Sequence, residues 1–492
     1  MDSPNSSVPI VEADTPNGPA PLSLLSRNLG VPSIVFMVVA AAAPLAVVAA
    51  NLPVLIAQSG NGGAPYYFLV CTALLAVFSV GFTLMSRYVP NAGAFYSYIQ
   101  AGLGRITGTG AAAVAVCSYS MLLIGVTAYF GVAAENLLST GIPWWVFSLG
   151  LLALVALLGY RDIELSSKVL VIALVLEIIV VVVMNIGVFV HNSGTAGGSL
   201  TVPLSTLEVG VPALGVMFAF YSFIGFEATA VFRNEARDPD RTIPRATYIA
   251  VVVIGLFSAV SAWCVVAGVG VDSVVQASAD DPENVVLDLM GSVAGAILGD
   301  IARVLLVTSF FACALSFHNI VTRYVFALAQ KNVIPGSFGE VSTKHHAPSR
   351  ASLLVSVFAA VCLIAAIAAK LDPVTVVFTL AGAASSLGVV ILMTLVSVAM
   401  LVFFRRVDTG KGVWHTVVAP AVSTLGLGVI LVLVVTNFSL LTGTQAQAYG
   451  VMGFVLASFV IGAIGAVIIR SRRPEVYENL DDRTAVQDQR AG

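Results

Sequence analysis

Twelve stretches of this chain are long and apolar enough to cross a lipid bilayer as helices. They fall near residues 32–57, 64–86, 107–135, 142–160, 168–190, 211–232, 246–270, 297–329, 351–369, 374–404, 415–437 and 449–470. A helical span needs about 20 mostly apolar residues. Hydrocarbon offers no partner for backbone N–H and C=O groups, so only helices or a closed barrel can span it. Barrel strands of about 9–11 alternating residues do not fit these runs. The expected fold is an all-α polytopic membrane protein with 12 transmembrane helices. Composition agrees, since 58% of residues are hydrophobic and 10% charged, against roughly 25% charged in a soluble domain. The net charge of −3 implies no nucleic-acid partner. The partners expected are the lipid bilayer and a small-molecule substrate.

Lys and Arg set the orientation. With the N-terminus in the cytoplasm, Arg27, Arg87, Arg105, Arg161, Lys168, Arg233, Arg237, Arg241, Arg245, Arg323, Lys331, Lys344, Arg350, Arg405, Arg406, Lys411 and the C-terminal arginines all lie inside. Outside, only Lys370 is clear, with Arg303 near a helix entrance, and the loop after segment 7 carries Asp272, Asp280, Asp281, Glu283 and Asp288. This is the positive-inside pattern, and it requires an even number of spans. The expected location is the cell membrane, with both termini cytoplasmic. Residues 1–24, rich in Pro, Ser, Asn and Asp, read as a disordered tail with no basic-then-apolar signal peptide. Residues 25–470 read as the transporter domain and 471–492 as a second cytoplasmic tail.

Two of the segments, about 180 residues apart, are interrupted at their centres. Segment 1 reads Val35-Phe36-Met37-Val38-Val39-Ala40-Ala41-Ala42-Ala43-Pro44-Leu45, and segment 6 reads Phe220-Tyr221-Ser222-Phe223-Ile224-Gly225-Phe226-Glu227. Pro44 removes a backbone donor; Gly225 loosens the other helix beside an acid. Matched breaks in two halves of a membrane protein mark a substrate site at the midplane. Unwinding is expected near Ala43–Leu45 and Ser222–Phe226, so Ala42, Ala43, Pro44, Leu45, Tyr221, Ser222, Ile224 and Gly225 become candidate substrate contacts. Glu177 lies in the middle of segment 5, where a charge costs about 2.5–3.5 kcal/mol on insertion scales. Such a group is kept neutral, paired or functional, and proton coupling is one use for it.

Family-specific residues cluster around segments 6 and 8. Phe220 to Glu227 followed by Asn234-Glu235-Ala236-Arg237-Asp238-Pro239-Asp240-Arg241-Thr242-Ile243-Pro244-Arg245-Ala246, and Asn319-Ile320-Val321-Thr322-Arg323-Tyr324 through Pro335, resemble the amino acid–polyamine–organocation permeases. Pro90-Asn91-Ala92-Gly93-Ala94-Phe95-Tyr96-Ser97-Tyr98 looks like the end of helix 2 in that family. The resemblance implies a leucine-transporter-type fold. Repeat one (about 30–190) packs inverted against repeat two (about 210–404), five helices against five, with two further helices at about 415–470. It implies secondary transport of an amino acid or related amine, by proton symport or by exchange. It brings Phe317 in beside Tyr221 as an aromatic that closes over substrate, and Glu227 in as a second proton-coupling candidate. In some relatives a lysine stands where Glu177 stands here. The chain departs from the family in segment 1, where many members have a glycine-serine-glycine break whose amides hold the substrate carboxylate; Pro44 offers no amide.

Other polar residues have plainer uses. His318 and Asn319 satisfy a local bond or relay protons. Ser118, Tyr119, Ser385 and Ser386 are wall residues or packing. Arg233, Glu235, Arg237, Asp238 and Arg241 form a charged loop that closes an inner gate or only sets topology. His345, His346 and His415 lie in loops. Cys71, Cys117, Cys264, Cys313 and Cys362 have no metal-ligand spacing and read as buried thiols. No catalytic residues, metal site or cofactor are expected, with a proton gradient as the driving force. A channel would need a continuous polar pore, an enzyme a nucleophile–base set, and an ATP-driven pump a phosphate-binding loop, and none appears. An exchanger of the same family and a sensor that binds without moving substrate stay open.

Overall fold

Apolar runs bounded by Pro, Gly or charge become helices in the computed structural model of the protein, which describes residues 29–89, 94–161, 167–194, 200–231, 233, 236–342, 348–442, 444–478 and 480. The expected N-terminal tail, residues 479 and 481–492 of the expected C-terminal tail, His345, His346, Lys344, Asn234 and Glu235 lie outside the described residues, whereas the start of the C-terminal tail is helical to Arg472 and again over Pro474–Glu478. The spans are α1 (Val31–Ser59), α2 (Ala64–Met85), α3 (Arg105–Leu138), α4 (Trp144–Arg161), α5 (Ser167–Gly194), α6 (Pro212–Tyr221 and Ala228–Val231), α7 (Pro239–Val269), α8 (Ala296–Gln330), α9 (Ser349–Ala368), α10 (Pro373–Arg406), α11 (Trp414–Thr442) and α12 (Gln445–Arg472). Their ends follow local rules. Pro lies in the first turn of α1, α2, α6, α7 and α10, where its missing N–H costs nothing. Asp372 caps α10 by accepting from the Val374 and Thr375 amides at 3.0 and 2.7 Å.

Eleven described helices are long and apolar enough to cross a membrane, against the twelve expected. The difference is α6, whose ten-residue first half stops at Tyr221 and whose second half has four described residues. The expected end of helix 2 also differs. α2 stops at Met85, and Phe95 to Tyr98 belong to a separate helix, Ala94–Leu103. Pro90 between them cannot continue a helix; Pro90 to Gly93 are outside the described residues.

α3 runs through the interior, buried along most of its length. Large apolar side chains such as Val361 on α9, Leu425 on α11 and Ile461 on α12 face outward, a surface suited to lipid rather than water. Between α12 and α3 the backbones nearly touch. A Cβ on Gly462 would stand 2.7 Å from the Thr109 carbonyl oxygen, so only glycine permits this approach.

The two interrupted helices lie antiparallel and are clasped at both ends. At one end the Ser59 carbonyl accepts the Val211 amide at 2.7 Å, and Asn61 Nδ2 donates to the Val209 carbonyl at 2.9 Å. At the other, the Arg237 amide donates to the Leu29 carbonyl at 3.0 Å. The start of α1 thus meets the end of α6, and the end of α1 meets the start of α6. Near Leu29 the basic residues gather. Arg87 donates to the Asp240 carbonyl at 2.8 Å, and Arg233 pairs with the Asp240 carboxylate at 2.6 Å. Arg241 and Asp238, 3.8 Å apart and largely exposed, add little. The C-terminal segment docks at this end too. The Arg105 guanidinium lies over the Tyr477 ring, and the carbonyl of buried Leu480 accepts from Gln100 and Lys331 at 2.5 and 3.4 Å.

At the opposite end the α7–α8 connection covers α3. Tyr129 donates to the Pro282 carbonyl at 3.4 Å, Asn136 to Glu283 at 3.0 Å, and Arg303 pairs with Asp288 at 2.9 Å. Burial raises the Glu283 carboxyl above its ordinary range. The Asn136 bond opposes that, and Asp281, Asp372 and Glu135 reinforce it.

Asn61 closes the clasp, because its Oδ1 also accepts the Gly63 amide and the Tyr67 hydroxyl, each at 2.8 Å. Asn61→Ala leaves these buried groups unpaired, at about 1–3 kcal/mol. The purified variant is expected to melt at a lower temperature in detergent. An unchanged melting curve would show that the clasp contributes nothing.

Candidate substrate site

The α1 break begins with what Pro44 lacks. Without its N–H, the Ala40 carbonyl takes the Ala43 amide at 3.1 Å. Ala43 turns to φ 48°, ψ 72°, a left-handed conformation that costs a non-glycine residue about 1–2 kcal/mol. The next amide, Leu45, reaches Glu177 Oε2 on α5 at 3.5 Å, the limit of a hydrogen bond. The same oxygen accepts Ser309 Oγ from α8 at 2.9 Å. Glu177 therefore joins the break to two other helices. The unwinding is narrower than expected, because Pro44–Ala46 already forms a helical turn, with the Val47 amide on the Ala43 carbonyl at 3.0 Å. A wide π-type stretch, Val47–Asn51, follows.

The α6 break is longer. After Tyr221 the amides reach back three residues instead of four: Ser222 to Ala219, Phe223 to Phe220, Ile224 to Tyr221 and Phe226 to Phe223, all at 3.0–3.2 Å. Gly225 has φ 112°, a region closed to side chains. Its amide turns aside to Glu227 Oε2 at 3.0 Å, while Glu227 Oε1 accepts the Tyr119 hydroxyl from α3. The Phe218 carbonyl, which the Ser222 amide would meet in a continuous helix, instead accepts Asn51 Nδ2 at 2.9 Å. Asn51 Nδ2 also reaches Ser222 Oγ at 2.8 Å. Asn51 thus ties α1 beyond its break to α6 at its break.

Between the breaks lies a small cavity, about 40 Å³ as the space open to the centre of a water molecule. α1 gives it Ala41, Ala42, Ala43, Ala46, Val47 and Asn51. α6 gives Tyr221, Ser222 and Ile224; α3, Leu122 and Val126; α8, Phe310, Cys313 and Phe317; and α10, Phe378. Of the sequence candidates, Ala42, Ala43, Tyr221, Ser222, Ile224 and Phe317 come together here. Pro44, Leu45 and Gly225 do not line it; they shape the backbone behind it. Glu177 and Glu227 hold that backbone and are not wall residues. Phe317 stacks on Tyr119 with ring centres 6.1 Å apart, and Tyr119, Tyr324 and Tyr96 continue the row at 5.7 and 5.9 Å.

Other candidates sit elsewhere. His318 Nε2 bonds Ser356 on α9 at 2.8 Å, Asn319 is exposed, and Ser118 bonds the Val114 carbonyl of its own helix. Ser385 and Ser386 are buried away from the cavity wall, and His415 is exposed in the first turn of α11. Asn51, Phe310, Cys313 and Phe378 were not singled out by sequence. Phe310 and Cys313 precede Phe317 at helical spacing and share its face, and Asn51 is a lone amide in an apolar run.

Two broken helices thus lie antiparallel around one cavity. A profile of the amino acid permease family matches residues 29–464. The chain belongs to that family. It is 24% identical over 314 residues to the low-affinity putrescine importer PlaP of Escherichia coli, a match covering 61% of this chain and 66% of that protein. It is 27% identical over 219 residues to an uncharacterized transporter of Mycobacterium tuberculosis, covering 39% of this chain and 45% of the relative. It is 30% identical over 196 residues to the branched-chain amino acid permease BcaP of Bacillus subtilis, covering 38% and 39%. Each match spans less than two thirds of its relative's length.

A Cβ on Gly225 would have room, its nearest neighbour being Ala41 Cβ at 3.7 Å, so only the backbone resists a side chain there. Gly225→Ala in this member of the permease family is expected to cost about 1–3 kcal/mol, read as earlier thermal unfolding of the purified protein. A variant as stable as the parent would mean that the α6 turn is relaxed at φ values open to alanine.

Proposed function

We propose that this protein is a secondary active transporter that moves an amino acid or related amine across the cell membrane by alternating access, coupled to protons. The observation that carries this reading is the cavity lined by residues of two broken helices, interrupted at Ala43 in one and at Ser222–Glu227 in the other. A membrane protein tolerates such breaks where they face a cavity. The antiparallel pairing of α1 and α6 supports an inverted repeat of about 30–190 against about 210–404, with α11 and α12 outside it. The family profile and the relatives named as importer and permease support the same reading. The basic residues gathered at the Leu29 end support cytoplasmic termini.

Within this reading Glu177 and Glu227 are the proton-coupling groups. Glu177 touches the α1 break, α5 and α8 at once. Gaining or losing a proton there changes which donors it can hold, and so the way the break packs. Uptake of radiolabelled amines and amino acids into proteoliposomes, with and without an imposed pH gradient, tests the function. Uptake in neither condition for any of them would refute it.

Glu177→Gln is expected to abolish accumulation driven by a pH gradient while leaving substrate-for-substrate exchange largely intact, because Gln copies the shape of the protonated acid. Full gradient-driven uptake by the variant would move coupling to Glu227. Tyr221→Ala is expected to weaken substrate binding more than tenfold, about 1.4 kcal/mol. Unchanged affinity in the folded variant would make Tyr221 a packing residue only.

A further inference from the structure

We infer that the cavity is built for an amine cation that carries no carboxylate. This deepens the transport reading above and rests on it for taking the cavity as the substrate site.

A carboxylate held at a broken helix needs free N–H groups at a helix start. Here the donors nearest the breaks are engaged. Pro44 has none, and the Leu45 amide points to Glu177. The Gly225 amide points to Glu227, and the amides of Ser222, Phe223, Ile224 and Phe226 bond carbonyls. An entering carboxylate would have to displace a buried glutamate and leave it short of a donor. None of the described residues lining the cavity is charged, so no Arg or Lys is present to take the carboxylate instead.

The wall favours the opposite sign. The first halves of α1 and α6 both end at the cavity, with Ala42 and Tyr221 as their last residues. These are carbonyl ends, where a cation is stabilised, although in α6 the carbonyls of Phe218 to Tyr221 already accept bonds from the protein. Two residues that line the cavity each bury a polar atom without a partner, Asn51 its Oδ1 and Tyr221 its hydroxyl. Asn51 is 2% exposed and Tyr221 9%. The Phe218 carbonyl can only accept, so it fixes which end of the Asn51 amide donates and leaves Oδ1 as a vacant acceptor. An ammonium group carries several N–H donors and suits both atoms. Rings of Tyr221, Phe310, Phe317 and Phe378 complete the wall, and aromatic rings attract cations across their faces.

The test uses two matched pairs that differ only in the α-carboxylate, isoamylamine with leucine and putrescine with ornithine. Binding to the purified full-length protein is followed by titration calorimetry. In at least one pair the amine is expected to bind at least tenfold more tightly than its amino acid. A preference below tenfold in both pairs, or no binding of either amine, would overturn the inference. Tyr221→Phe keeps the ring and removes the hydroxyl, and is expected to lower amine affinity at least threefold. Asn51→Ala should lower it further but also frees the Phe218 carbonyl, so its melting curve is read first; if it does not fold, Tyr221→Phe decides, and unchanged amine affinity there overturns the proposed contact. Uptake into proteoliposomes separates the two readings. An amine that binds but does not cross refutes transport and leaves the inference standing, whereas an amino acid that binds better than its amine and crosses does the reverse.

Discussion

A bilayer offers a broken helix nothing, so each freed backbone group must find its partner inside the protein. The two breaks in this chain meet that demand in the same way. A glutamate accepts the amide that the break has released, Glu177 for Leu45 and Glu227 for Gly225, and a hydroxyl from another helix holds the glutamate, Ser309 in one case and Tyr119 in the other. The cavity, the antiparallel pairing of α1 with α6 and the position of α3 and α8 around them all depend on these two arrangements. An acid costly to bury alone becomes stabilising once it completes a broken backbone.

Asn51 supplies the third support, and it works on the acceptor side. The α6 break leaves a carbonyl at Phe218 without its usual amide, and Asn51 donates to it from α1. A single side chain thus joins the two interrupted helices at the level of the cavity. At their ends the same helices are joined by backbone contacts, Ser59 with Val211 and Leu29 with Arg237. Movement of one broken helix relative to the other has to strain or break these contacts. They are where opening towards either side of the membrane would begin.

Much of this was legible in the residues, wherever a local rule governs. Pro44 and Gly225 announce their breaks because a missing N–H and a positive φ are properties of one residue. Glu177 and Glu227 stand out because a charge inside an apolar run needs a reason. What those carboxylates touch was not legible, since Leu45 and Ser309 each lie 132 residues from Glu177. Asn51 was passed over for the same reason: its partner, Phe218, is 167 residues away. Eleven helices are continuous enough to span because segment 6, expected to be interrupted near Ser222–Phe226, is divided there. Phe95 to Tyr98, within the stretch Pro90 to Tyr98 that looks like the end of helix 2, belong to a separate helix, Ala94–Leu103, because composition does not record where a chain turns.

The polarity of the cavity follows from the same hydrogen-bond accounting. Both glutamates approach the breaks from behind and occupy donors at the starts of the second half-helices. What remains towards the cavity is the carbonyl end of the α1 first half, with one amide oxygen and one phenol from lining residues. A site that used free amides at Gly225 and Leu45 would have had the opposite sign with nearly the same residues on its walls. The side chains that decide which charge is welcome are therefore Glu177 and Glu227, neither of which lines the cavity. Substrate preference in such a fold can change by substitution one layer behind the wall, through the backbone groups that layer occupies or sets free.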